Sequence, residues 1–337
     1  MLDEGPAGYY AGGAGDERTL RANVAAWAEH ELLPRVLVDV SEVTTTTNVL
    51  GTEIALPVVV APVALQRMAH PDGEPGMARA AAGAGTIMTL STLATSDAAE
   101  VARAAPHSPR WYQLYVTRDR GVSQSLVDAA VDHGYRAIVV TVDAPAPGRR
   151  ERDLRTGFRV PRGLDMPAVT ASLGRSSGVT VEDFFSIVDP SFDWSAFERF
   201  AADCPLPVLV KGVHAPADAS LAVDHGAAAV VVSNHGGRQL DGVPATARLL
   251  PRVVEAVDGR AEVLVDGGIR RGSDIAVALA LGARTVLLGR PMLWGLALDG
   301  EAGARHVLEL LRAELTSTLA LLGARCPDEV TSDHLVG

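Results

Sequence analysis

The chain has 337 residues, 47% hydrophobic and 21% charged, which is enough apolar material for one large buried core and too much for a disordered chain. A formal net charge of -11 excludes a nucleic-acid surface, which needs clustered Lys and Arg. The two cysteines, Cys204 and Cys326, stand in no metal-ligand spacing, so neither a disulfide framework nor a metal site is implied, as expected of a reducing cytoplasm.

The N-terminus, MLDEGPAGYYAGGAG, lacks the basic start and apolar stretch of a signal peptide, and no run approaches the ~20 apolar residues of a membrane span. Its Tyr9 and Tyr10 are read either as part of a packed cover or as hydroxyl donors over a binding site. Eight apolar, β-rich runs then recur: PVVVAP from Pro57, GTIMTL from Gly85, RWYQLY from Arg110, AIVVTV from Ala137, PVLVKG from Pro207, AVVVSN from Ala229, EVLVDG from Glu262 and TVLLGR from Thr285. Runs of this kind suit strands covered on both faces. Helix-compatible stretches separate most of them, at Asp72 to Ala84, Asp97 to Ala104, Ser123 to His133, Pro216 to His225, Ala245 to Val257 and Ser273 to Leu281. Strands alternating with helices predict a parallel sheet, and eight units predict one closed (β/α)8 barrel, a TIM barrel, spanning residues 1–337 as a single α/β domain. The long gap from about residue 144 to 206, with a Gly- and Ser-containing middle and a helix from Trp194 to Ala202, reads as a lid after the fourth strand.

In such a barrel the reactive side chains belong at the C-terminal strand ends. In chain order these carry Val63 and Ala64, Ser91, Gln113 and Tyr115, Thr141 and Asp143, Lys211, Ser233 and His235, Asp266, and Gly289 and Arg290. Lys211 ends an apolar strand, so its ammonium either meets an anion or reaches to water. His235 is followed by Gly236, Gly237 and Arg238. An imidazole and a guanidinium one short turn apart suit an acid substrate: arginine holds the carboxylate, histidine takes a proton, and Asp143 stabilises the imidazolium. Arg149 and Arg150, beyond Asp143, are either a solvated basic patch or a second carboxylate clamp. The turns DGGIRRGSD and GRP after the last two strands suit a phosphate, with Gly268 in the turn and Arg270 and Arg290 as charged clamps. His30, His70, His107, His133, His214, His225, His306 and His334 stand in no comparable constellation.

The motifs QLY, TVDAPAPGRRERD, PVLVKG, SNHGGRQLD, VLVDGGIRRGSD and LLGRP, spaced between Tyr9 and about Cys326, resemble the FMN-dependent 2-hydroxy acid oxidising family, which includes glycolate oxidase, lactate oxidase, hydroxymandelate oxidase and mandelate dehydrogenase. The resemblance implies oxidation of an (S)-2-hydroxy acid to the 2-oxo acid, with FMN as cofactor and O2 giving H2O2. It implies that His235 is the base at C2, oriented by Asp143, that Arg150, Arg238 and Tyr9 hold the carboxylate, and that Tyr115 contacts the substrate hydroxyl. For the cofactor it implies the backbone around Val63 and Ala64, with Ser91, Gln113, Thr141, Lys211 and Ser233, at the isoalloxazine, where Lys211 favours the anionic reduced ring. Asp266, Gly268, Arg270, Gly289 and Arg290 would hold the ribityl and phosphate groups. A homotetramer is the expected assembly.

Three departures from the family stand out. The chain begins almost at the Tyr9 motif, which leaves closure of the barrel's bottom open. Leu93 takes the place of a tryptophan in glycolate oxidase, enlarging the pocket for a bulkier acid such as mandelate or 4-hydroxymandelate, with lactate or glycolate as the alternative. The insert after the fourth strand is short and not strongly apolar, unlike the membrane-binding segment of mandelate dehydrogenase, so no membrane partner is expected. A flavin-barrel isomerase would not need two arginines and a His–Asp pair, and a non-catalytic scaffold would not keep His235, Arg238 and Lys211 together.

Overall fold

The structure, a computed structural model, describes residues 2–336 except Ser176 and Val179, which the lid reading of 144–206 includes and which lie outside the described residues. In chain order the elements are α1 (Glu4–Ala11), α2 (Arg18–Trp27), β1 (Thr47–Val49), β2 (Thr52–Ile54), β3 (Val58–Val60), α3 (Gly73–Gly83), β4 (Met88–Leu90), α4 (Ala98–Ala104), β5 (Arg110–Leu114), α5 (Arg120–Asp132) and β6 (Ala137–Thr141). The lid follows with α6 (Glu151–Thr156), α7 (Pro167–Ser172), α8 (Val181–Ile187) and α9 (Trp194–Asp203). The chain closes with β7 (Val208–Val213), α10 (Pro216–Asp224), β8 (Ala229–Val232), α11 (Thr246–Val257), β9 (Glu262–Asp266), α12 (Gly272–Ala280), β10 (Thr285–Leu288) and α13 (Arg290–Leu322), which breaks at Asp299 and Gly300. Strands β3 to β10 pair in parallel and close into an eight-stranded barrel, as the eight apolar runs predict. Among the described residues no helix is long and apolar enough to cross a membrane.

The period-2 alternation of a strand sorts each run into two faces. Val58, Val60, Ile138, Val140, Val208, Val210, Val230 and Val232 join the core shared with the outer helices. Val59, Ile87, Trp111, Val139, Leu209, Val231, Leu264 and Leu287 form a second apolar cluster inside the barrel. Val49 and Ile54 of the β1–β2 hairpin belong to that inner cluster, and Leu50 N–H donates to Glu262 Oε2 at 3.0 Å. The bottom of the barrel is therefore plugged by this hairpin, which settles the closure the sequence left open.

Candidate active site

Two residues beyond the inner apolar layer, the same parity places the next inward layer: Gln113 after Trp111, Thr141 after Val139, Lys211 after Leu209, Ser233 after Val231 and Asp266 after Leu264. All five are buried. A further step of two reaches Tyr115, Asp143 and His235 at the rim. One strand period thus turns a closed apolar floor into a polar chamber and then into a reactive mouth.

The mouth opens into a cavity lined by Tyr9, Val63, Ala64, Ser91, Leu93, Gln113, Tyr115, Thr141, Arg150, Lys211, His235, Arg238, Asp266, Gly268, Arg270, Gly289 and Arg290. Asp143 and Ser233 stand behind this wall, each bonded to a residue in it. Asp143 Oδ1 lies 2.9 Å from His235 Nδ1, and Ser233 Oγ accepts from Lys211 Nζ at 3.0 Å. His235 holds a left-handed backbone (φ +56), strained for a residue with a Cβ, and its N–H donates to Ser233 Oγ at 3.1 Å. Lys211 Nζ also pairs with Asp266 Oδ2 at 3.2 Å.

Burial alone would raise the Asp143 carboxyl, but the facing His235 imidazole and then Lys211 outweigh it and hold the group below its ordinary range. For Lys211, burial works against the charge, yet Asp266 and Asp143 hold the ammonium above the ordinary lysine range. Burial, then the charge of Asp143, pushes the Tyr115 phenol up, so it stays a neutral donor.

Arg238 donates Nη1 to the carbonyls of Tyr9 and Gly12, at 2.5 and 3.1 Å, which leaves Nε and Nη2 for a ligand. Its guanidinium lies 4.8 Å from the Tyr9 ring centroid and that of Arg150 lies 5.6 Å from it, while Phe158 of the lid stacks on the ring at 4.7 Å. Tyr9 therefore both packs the cover and faces the cavity. Tyr10 instead spends its hydroxyl on Leu65 O at 2.5 Å. Arg149 is exposed and does not line the cavity, whereas Arg150 does.

Arg290 donates to Tyr10 O, Gly236 O and Gly12 O at 3.0, 2.9 and 2.8 Å, so two of its donors are used on the N-terminal segment and one on the turn after β8. Arg270 gives only Nη1, to its neighbour Ile269 O, and stands exposed at the cavity edge. Gly268 sits at φ +88 against α2, where a Cβ would lie 1.8 Å from Asn23 O, so only glycine fits this turn.

Among the described residues, three buried polar atoms facing this chamber have no partner: Gln113 Nε2, Thr141 Oγ1 and Asp266 Oδ1. Buried polar atoms without partners are costly unless a ligand satisfies them. Sequence reasoning missed Val181 and Phe185, which the lid brings into the cavity wall.

The chain matches, over residues 1–337, the family model described as FMN-dependent dehydrogenase. L-lactate oxidase from Nostoc sp. is 48% identical over 337 residues, which is 97% of this chain and 92% of that protein. Glycolate oxidase 3 from Arabidopsis thaliana is 47% identical over 332 residues, 97% of this chain and 90% of that one. The solved structure of mandelate oxidase with (S)-4-hydroxymandelic acid superposes with a TM-score of 0.92 at 44% identity, covering 99% of this chain and 94% of that one.

Proposed function

The chain belongs to the FMN-dependent dehydrogenases, alongside 2-hydroxy acid oxidases, and from that premise we propose that it oxidises an (S)-2-hydroxy acid bulkier than glycolate, passing the electrons to O2 to give H2O2. The observation that carries this reading is the His235–Asp143 pair, 2.9 Å apart, in a cavity that also holds Arg150, Arg238 and the Lys211–Asp266 pair.

The residues present fit FMN. Gln113 Nε2, a donor, and Thr141 Oγ1 and Asp266 Oδ1 await partners, Lys211 supplies a buried positive charge, and the Gly268 turn with Arg270 offers a glycine cradle and a free guanidinium for a phosphate. Val63, Ala64, Ser91 and Ser233 complete the ring's surroundings, and Gly289 and Arg290 the phosphate end. When bound, FMN supplies the two-electron acceptor.

The chain's own residues do the rest. Arg150 and the free Nε and Nη2 of Arg238 hold the substrate carboxylate, fixing C2 above the chamber. The bond of His235 Nδ1 to Asp143 fixes the imidazole so that Nε2 accepts a proton at C2, and Asp143 stabilises the imidazolium. Tyr115, a neutral phenol, donates toward the substrate hydroxyl. Leu93, Val181 and Phe185 give the cavity an apolar wall, which supports an aryl acid such as mandelate or 4-hydroxymandelate over glycolate or lactate.

The test is to mix the flavin-loaded protein, without oxygen, with (S)-mandelate, (S)-lactate and glycolate in turn, follow bleaching of the oxidised flavin band, then admit air and assay peroxide. Fastest bleaching by mandelate, with peroxide on reoxidation, is expected. A protein that none of the three bleaches would overturn the reading. In the same assay His235→Ala should keep its flavin while bleaching slows about 10²- to 10⁴-fold. One barrel domain over 1–337, with 144–206 as its lid, acting as a cytoplasmic homotetramer completes the proposal. Light scattering tests the assembly.

A further inference from the structure

Strand β7 has one residue too many. Lys211 aligns with Val231 of β8, but Val213, not Gly212, aligns with Val232. The extra residue is Gly212, at φ +113, where a Cβ would lie 2.6 Å from the Cβ of Asp143, so the bulge presses the backbone of β7 against that aspartate. It also resets the parity of the strand. Val213 joins the outer core instead of facing inward, and the residue after it, His214, comes close enough to Asp143 and Lys211 for their charges to act on its imidazole.

Two buried atoms, His214 Nε2 and Asp143 Oδ2, have no partner among the described residues. The other oxygen of Asp143 is engaged by His235. We propose that His214 is a positioning residue for the catalytic pair: it holds the second oxygen of Asp143 through a water that donates one hydrogen to Asp143 Oδ2 and the other to His214 Nε2. A site with two such acceptors is the kind a buried water fills, and it keeps the carboxylate turned toward His235.

Charges around the imidazole agree with this arrangement. Burial lowers its proton affinity, opposed by Asp143 first, Asp266 next and then a hydrogen bond to the Gly212 backbone, with Lys211 adding to the lowering. His214 is therefore neutral at neutral pH, and the proposed bridge places its ring proton on Nδ1 so that Nε2 accepts. Removing the outer partner of a metal-bound histidine typically costs about 10- to 100-fold in affinity or activity, and that scale is expected for the partner of this His–Asp pair.

The inference rests on reading His235 and Asp143 as the working pair, and its test has one arm independent of turnover. In the flavin-loaded protein, the proton resonance of His235 Nδ1–H reports its bond to Asp143. His214→Leu should move that resonance and slow anaerobic flavin reduction about tenfold while leaving flavin content and affinity for the 2-oxo acid phenylglyoxylate in place. His214→Gln, which keeps a polar atom near the same position, should restore most of both. His214→Met serves in place of the leucine variant if that chain does not fold. An unmoved resonance in the apolar variant, or a glutamine variant displaced as far as the apolar one, overturns the proposal. If no hydroxy acid bleaches the flavin, the functional reading fails while the resonance still decides the role of His214.

Discussion

At Asp143 burial and charge pull in opposite directions, and charge wins because His235 and Lys211 both face a carboxylate whose side chain is only 5% exposed. A carboxyl held below its ordinary range contributes stability that is fully present above the unfolded value of about 3.9 and is lost as pH falls through the lower folded value. Asp143→Asn should therefore unfold in less urea than the natural chain from about pH 5 upward, with the gap narrowing below about pH 4. A gap unchanged down to pH 3 would mean that the carboxylate's charge is not its source. Leu93 is buried in the cavity wall and its backbone carbonyl accepts from Leu65 N–H at 3.0 Å, so the side chain can be changed on a fixed backbone. Leu93→Trp fills the space proposed for an aryl group. It should lower kcat/KM for mandelate about 10- to 100-fold and affect glycolate less. Equal losses on both acids would show that Leu93 does not set substrate size.

Among the elements, the β1–β2 hairpin does what no barrel strand can, since an open floor would wet the inner faces of all eight. Ile54 is 1% exposed in the inner cluster, and Ile54→Ala should cost about 2–5 kcal/mol in urea unfolding while leaving FMN affinity in place. A matching loss of FMN affinity would instead tie the floor to the cofactor chamber. This hairpin was illegible in the sequence: two three-residue strands joined at Leu50 and Gly51 give too short a pattern to read. The eight barrel strands were legible because each is a short, mostly apolar run buried on both faces, and with them came the strand-end positions of Gln113, Thr141, Lys211, Asp266 and His235. What the sequence concealed had two physical causes. A bulge changes parity without changing composition, so His214 looked like a linker histidine until Gly212 was seen to be unpaired in the register. The lid's contribution of Val181 and Phe185 depends on how short helices fold back over the mouth, which periodicity within each helix does not encode.

For the whole molecule, the chamber binds nothing from a single element. Gln113 comes from β5, Thr141 from β6, Lys211 from β7, Asp266 from β9 and Arg270 from the turn before α12, so a barrel opened at any of these seams loses part of the set. A ligand gripped this way binds the closed barrel and not the unfolded chain, and its binding energy becomes folding energy. FMN added to the flavin-free protein at about 100 times its dissociation constant should raise unfolding free energy by about 2.7 kcal/mol, and the melting midpoint should keep rising with FMN concentration. Arg270 separates this linkage from the stability of the barrel itself, because it is exposed and, among the described residues, its side chain is bonded only to its neighbour's carbonyl. Arg270→Gln should melt with the natural chain when both are flavin-free, yet need about tenfold or more FMN to reach the same shift, as befits loss of a charge-assisted phosphate contact. An unchanged FMN dependence would remove Arg270 from the phosphate end and pass that role to the remaining N–H groups of Arg290.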